Sequence, residues 1–243
     1  MVSNFFNPQE IPYDILKEYG VTEKMIEDLP EGIKQRFLSG KETAPLELIL
    51  EDNGDEQKTF FAKISLVRKD DDSIDVMFHP EMNTIDLDSF AGKNAKLLRE
   101  GKVVHTGDIV AQYDYAIDQI ITMPFILVRH NIEVLQDNMS LSAQQCRDLS
   151  SGLVVEINRD NQTCSIGLDL TEDNAIRTSK GNAQQWASEA KLNKLDKYSF
   201  GLYGCWVSDT KGNMTYYFEE EYTDEIRAAF IKQNNIHNQQ KSY

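Results

Sequence analysis

The side chains in this sequence with the means to hold a metal or break a bond are four histidines, three cysteines and two acidic runs. His79 precedes Pro80 at a strand end, His105 sits in a strand, His130 opens a helix and His237 lies in the tail. None is spaced from another His or Cys as zinc ligands are, and Asp70-Asp71-Asp72 and Glu219-Glu220-Glu221 lack the spacing of a calcium loop. No metal is expected. A serine nucleophile would need an elbow such as GxSxG, and a cysteine nucleophile an activating neighbour; the sequence has neither. Cys205, between Gly204 and Trp206, reads as a small packing residue. Gly40-Lys41 and Gly101-Lys102 lack the upstream Gly and following Ser or Thr of a phosphate loop. The expectation is therefore no cofactor, no catalytic residue and a non-enzymatic protein. The alternative is an enzyme whose site is assembled only in the fold.

What remains is binding chemistry. The stretch Tyr198-Ser199-Phe200-Gly201-Leu202-Tyr203-Gly204-Cys205-Trp206-Val207 is dense in aromatics and is followed by Met214-Thr215-Tyr216-Tyr217-Phe218. Aromatics dominate cores, so a central core strand is the first reading of this stretch; Tyr and Trp are also enriched at binding hot spots, which makes Tyr203, Trp206, Tyr216 and Tyr217 candidate contact residues. Arg129, Arg177 and Lys180 could join them if the fold brings cations and rings together. That pocket would suit a small nucleotide-like ligand, which an acidic protein can hold only by offsetting its own repulsion.

Charge and composition narrow the partners. With 40 acidic against 25 basic residues, the formal charge of −15 repels a phosphate backbone, and the basic residues are scattered singly. Direct nucleic-acid binding is not expected, and a protein partner is the leading expectation. An odd number of cysteines without a CxxC pair fits a reducing cytoplasm. No apolar run reaches the roughly 20 residues that cross a bilayer, so no membrane association is expected.

The elements that must position these residues read as α+β: helix-plus-antiparallel-hairpin modules with a C-terminal aromatic hairpin. Three helices run into Gly40, Gly101 and Gly152, each followed by an extended segment. Residues 1–30 form a helical cap divided at Gly20, with Thr22 capping its second helix. Modules follow at 31–83, 84–140 and 141–180. The first holds strands at Leu46–Leu50, Phe60–Val67 and Ile74–Phe78. In the second, Asp86 or Asp88 caps a helix ending at Glu100, strands run to Leu127 with Pro124 at an edge or bulge, and a helix spans Asn131–Met139. In the third, Ser142 and Gln145 form a capping box before a single hairpin. Residues 181–243 hold a continuous aromatic strand from Tyr198 to Val207, its hairpin partner, and a helix capped by Thr223.

Ile11-Pro12-Tyr13-Asp14-Ile15-Leu16, Met25-Ile26-Glu27-Asp28-Leu29-Pro30, the Phe200 to Val207 segment and Glu219-Glu220-Glu221-Tyr222-Thr223 carry a resemblance. Over about Ile11 to Thr223 the chain resembles uncharacterised domain-of-unknown-function proteins carried on conjugative and other mobile elements of Bacteroidetes. The resemblance implies a cytoplasmic accessory factor of a mobile element, with counter-defence as one role. It supplies no catalytic residues. The reading that follows is a binding protein that engages a host defence or DNA-processing protein, with a sponge for a nucleotide-like signalling ligand as the alternative.

Overall fold

The computed structural model describes residues 6–51, 57–114, 117, 119–159, 161–189, 198–200, 204–208 and 214–231. Two compact units emerge. The first holds residues 1–114 and 118–188, and the second holds 115–117 and 189–243.

The first unit opens with α1 (Tyr13–Glu18), α2 (Glu23–Glu27) and α3 (Glu31–Leu38), followed by an antiparallel meander of β1 (Leu46–Glu51), β2 (Gln57–Arg68) and β3 (Ile74–Pro80). Next come β4 (Asn83–Ile85), α4 (Gly92–Arg99), β5 (Val104–Thr106), β6 (Ile109–Asp114) and β7 (Gln119–Pro124), whose sheet order is β4-β7-β6-β5. Helices α5 (Phe125–Met139) and α6 (Ala143–Ser150) lead into β8 (Val155–Arg159), β9 (Gln162–Leu168) and β10 (Ile176–Lys180), and α7 (Ala183–Glu189) closes the unit. All strand pairing is antiparallel, as expected for α+β.

Helices α1, α3, α4 and α6 stop in the same way. Gly20, Gly40, Gly101 and Gly152 follow their last turns in the left-handed region, φ between +72° and +84°. In each, the glycine N–H and the next N–H reach back to carbonyls of the last turn, as in Gly152 N to Leu149 O and Leu153 N to Asp148 O. Gly20 ends a helix followed by α2 rather than by a strand, so the recurrent pattern marks a way of stopping helices. The sheets after the other three differ in strand length and number.

Helix α5 joins two cores. Leu127 packs with Leu16, Phe37, Leu48, Ile64 and Phe78, whereas Val128 and Ile132 pack with Met123, Leu149, Ile166 and Leu168. The same helix finishes the free edge of β3. Asn131, 0% exposed, accepts the Phe78 N–H through Oδ1 at 2.9 Å and donates to Phe78 O at 2.7 Å and Asn174 O at 3.1 Å. His130 Nε2 lies 2.9 Å from Val76 O. Side chains of a helix thus take the place of a fourth strand, satisfying an edge that would otherwise be buried unpaired. Asp75 lies beside this lock, with Lys69 Nζ at 3.4 Å and His130 Nε2 at 3.3 Å. Burial pushes the Asp75 carboxyl up, but hydrogen bonds from His130 and the Val76 N–H, with the nearby charges, outweigh it and leave the group below its ordinary value.

Several expected boundaries move. α5 begins at Phe125, six residues before the expected start, because Phe125-Ile126-Leu127-Val128 is an apolar run that suits a buried helix as well as a strand. Pro124 ends β7, an interior strand, and stands at the N-cap of α5, where its missing N–H costs nothing. α4 starts at Gly92, leaving Asp86 to flank a short 3-10 turn. The third sheet has three strands, not a hairpin: Asp169 N donates to Ala175 O, turning the chain back into β10. Thr22, Ser142 and Thr223 cap helices as expected.

In the second unit, β11 (Tyr198–Phe200), β12 (Gly204–Ser208) and β13 (Met214–Phe218) form an antiparallel sheet, and a helix, α8, spans 224–231. The single aromatic strand expected from Tyr198 to Val207 is two strands, with Phe200 paired to Cys205 and Tyr198 to Val207. At Gly204, the first residue of β12, a Cβ would come within 2.3 Å of Tyr217 O. Phe200 packs edge to face with Phe230 of α8, ring centroids 5.1 Å apart.

Candidate ligand-binding groove along helix α5

Ending β7 at Pro124 places Phe125 and Arg129 in the first turns of α5, four residues apart and therefore on one helix face. Two cavities of the first unit meet at this pair. The larger, about 400 Å³, runs between α5 and α6 and is lined by His105, Phe125, Arg129, Ile132, Cys146 and Arg147, among others. The smaller, about 240 Å³, lies toward β1 and β2, where Leu50, Phe60 and Lys58 meet Asp108, Ile126 and the same Phe125 and Arg129.

Rings and cations are built into this groove. His105 from β5 stacks on Phe125, centroids 3.7 Å apart and planes 28° from parallel. Arg129 Nε stands 3.6 Å from Glu133 Oε1, and at 53% and 60% side-chain exposure this pair is weak in water and open to exchange. Arg147 donates to Gln144 Oε1 at 2.8 Å and has no carboxylate partner among the described residues. Lys58 Nζ meets Asp108 Oδ2 at 2.7 Å, and this hydrogen bond holds the Asp108 carboxyl below its ordinary value. Burial, then the charge of Glu133, raises the Cys146 thiol, leaving it a neutral lining group rather than a nucleophile. The groove can therefore grip an anion and cover a flat ring.

The candidate residues read from the sequence are distributed over both units. Arg129 lies at the centre of the groove. Lys180 is exposed at the end of β10. Arg177 is committed elsewhere: its Nε donates to buried Asp169 at 2.8 Å, its Nη2 to Trp186 O at 2.9 Å, and its guanidinium lies 3.8 Å from the centre of the Trp186 indole. Trp186 Nε1 returns a bond to Arg177 O at 3.1 Å, so the pair fastens α7 to β10. Gly167 makes room for that indole, since a Cβ there would come within 2.6 Å of it. In the second unit, Tyr216 and Tyr217 are half-buried on β13 and alternate between its faces. Tyr217 pairs in register with buried Cys205, and Tyr216 with Trp206. Tyr203 and the Trp206 side chain lie outside the described residues.

Sequence reasoning did not find Phe125, His105, Arg147 or Lys58, because they come from separate segments that meet only through strand register and helix packing. Nor did it find the residues that the fold sets beside His79. Ser65 Oγ is 2.9 Å from His79 Nε2, and His79 Nδ1 is 3.8 Å from Glu42 Oε1, the order of a nucleophile, base and acid. Lys63 donates to Glu42 at 2.9 Å, and burial lowers the His79 pKa, favouring the neutral ring. Ser65, however, is 7% exposed in the middle of β2 and lines neither groove cavity. The Ser65 contact serves His79 Nε2, whereas buried His79 Nδ1 has no hydrogen-bond partner among the described residues.

No helix among the described residues is long and apolar enough to cross a membrane. The chain matches no curated protein and no solved structure. Residues 6–89 are similar to the family model of a protein of unknown function, DUF4099; the match spans α1 through β4, the segment that supplies Leu50, Lys58 and Phe60 to the groove.

Proposed function

We propose that this protein is a non-enzymatic binding module that holds a small anionic, ring-bearing ligand of nucleotide type in the groove along α5. One observation carries this reading: on a chain of net charge −15, Arg129 and Arg147 line a cavity beside the stacked rings of Phe125 and His105. The cavity volume of about 400 Å³ falls within the roughly 300–1,000 Å³ of small-molecule sites. In the mobile-element setting implied by the sequence resemblance, such a module would sequester a cytoplasmic signalling nucleotide from a host defence.

Calorimetric titration of the purified chain with the four ribonucleoside monophosphates tests this. A charge-assisted hydrogen bond is worth about 1.5–3 kcal/mol, so Arg147→Gln should weaken binding roughly tenfold or more without lowering stability. Absence of heat and of thermal stabilisation by all four at millimolar concentration would refute the reading.

A protein partner is the second reading. It is supported in the second unit by Phe218, 55% exposed and packed edge to face with Tyr216 at 5.1 Å, an apolar projection of the kind that anchors interfaces. Phe218→Ser should then abolish co-purification of a stoichiometric partner from the native host. Retention of that partner would remove the reading.

A further inference from the structure

We infer that the groove is built for a ligand with two rings joined by an anionic linker, a dinucleotide rather than a mononucleotide; this inference rests on the proposed reading of the α5 groove and specifies its ligand. Phe125 and Arg129 line both cavities, so the two spaces adjoin across one aromatic and one cationic side chain. The two sides differ in chemistry. Toward α6 the groove offers Arg129 and Arg147, suited to phosphate oxygens. Toward β1 and β2 it offers Leu50, Phe60 and Ile126, with the Lys58–Asp108 pair beside the shared Arg129.

That pair is what suits the smaller cavity to a base. Asp108 compensates Lys58 at 2.7 Å, so of the two described cations that line this space the shared Arg129 is the one left for a phosphate. The pair presents an ammonium donor beside a carboxylate acceptor at the rim of an apolar slot. A nucleobase has the complementary form: a flat face for Phe60 and Phe125, and an edge with donors and acceptors side by side. By volume, the smaller cavity at about 240 Å³ lies below the usual range for a complete small-molecule site, as expected of a subsite. A phosphate linker would pass over Arg129, whose loose pairing with Glu133 at 3.6 Å is readily exchanged for a closer anion.

The test compares AMP, GMP, CMP and UMP with the corresponding 5′-phosphorylated homodinucleotides on the full chain, using calorimetry at fixed salt. Base stacking of the second ring should make at least one dinucleotide bind about tenfold or more tightly than its mononucleotide. The double variant Lys58→Met with Asp108→Ala removes the ammonium donor and the carboxylate acceptor together. It should bring the dinucleotide down to the affinity of its mononucleotide measured on the same variant. Mononucleotides that bind with no gain from the second base would overturn this inference and leave the broader reading standing. A gain that survives the double variant would also overturn it, since the second base would then lie elsewhere. If neither class binds, both conclusions fail.

Discussion

Asn131 offers the sharpest test of how the first unit is held together. Replacing it with Leu keeps the approximate side-chain volume and removes every polar atom, leaving Phe78 N–H, Phe78 C=O and Asn174 C=O without the partner each now has. These groups sit around a side chain that is 0% exposed, so water cannot simply replace it. Each orphaned buried group costs about 1–3 kcal/mol; at the lower end three groups give about 3 kcal/mol, offset only partly by relief from burying the amide itself. With a urea slope of roughly 1–3 kcal/mol/M, the unfolding midpoint should fall by about 1 M or more with its slope unchanged. A local reporter accompanies the global one: the Phe78 amide should lose hydrogen-exchange protection, because its acceptor is gone. Asn131→Asp provides a companion variant. Its first oxygen still accepts from Phe78, but the second faces two carbonyls, so at neutral pH it should be as unstable as the Leu variant. Relative to the parent, it should recover as acid protonates the carboxyl and restores a donor. A loss below about 1 kcal/mol for Asn131→Leu, with Phe78 still protected, would refute the view that α5 stands in for a strand at the β3 edge.

Two further predictions concern His79 and two left-handed glycines. Burial lowers the folded pKa of His79, so folding favours the neutral ring: that contribution is complete above the unfolded value of about 6.5 and is lost as pH falls below it toward the folded value. His79→Gln should flatten the fall in stability between pH 7 and 5, by at most about 1.4 kcal/mol per pH unit, and an unchanged slope in urea titrations would contradict the assignment. At Gly152 a Cβ would meet Val103 O at 2.7 Å as well as a φ of +84°, whereas at Gly92 it would meet only a φ of +58° and open space. Gly92→Ala should therefore cost about 1–2 kcal/mol and Gly152→Ala clearly more, and equal shifts in unfolding midpoint would show that the Val103 contact relaxes freely.

What the sequence made legible was local. Thr22, Ser142 and Thr223 announce helix starts because a side-chain oxygen three residues before an N–H closes the bond within one turn. Gly40, Gly101 and Gly152 announce helix ends for the corresponding reason, yet their recurrence suggested modules, and Gly20 shows that the same stop serves any short helix. Arg129 was identifiable as a binding candidate, but its companions were not. His105 reaches Phe125 only because β5, β6 and β7 pair in a particular register, and Lys58 reaches Asp108 across 50 residues of chain. The fate of Arg177 was equally hidden, since nothing local to it shows that Trp186 will cover its guanidinium or that Asp169 will be buried beneath it. The small residue at Gly167 that admits the indole is a trace of that arrangement, readable only once β9 and α7 are known to touch.

The fastening of Trp186 on Arg177 also has a mechanical meaning. It lies within three residues of Ser188, where the first unit ends, so tension entering the chain from residue 189 onward meets the indole before it meets the hydrogen bonds of β10. Asp169, Arg177 and Trp186 form a cleat: the ion pair fixes the guanidinium to the sheet, and the ring is held over it by two reciprocal bonds and by its own bulk above Gly167. A strand edge alone would unzip one residue at a time under such a pull. A cleat releases its contacts together, so the end of α7 is held to β10 by side chains on three sides rather than by one row of backbone bonds.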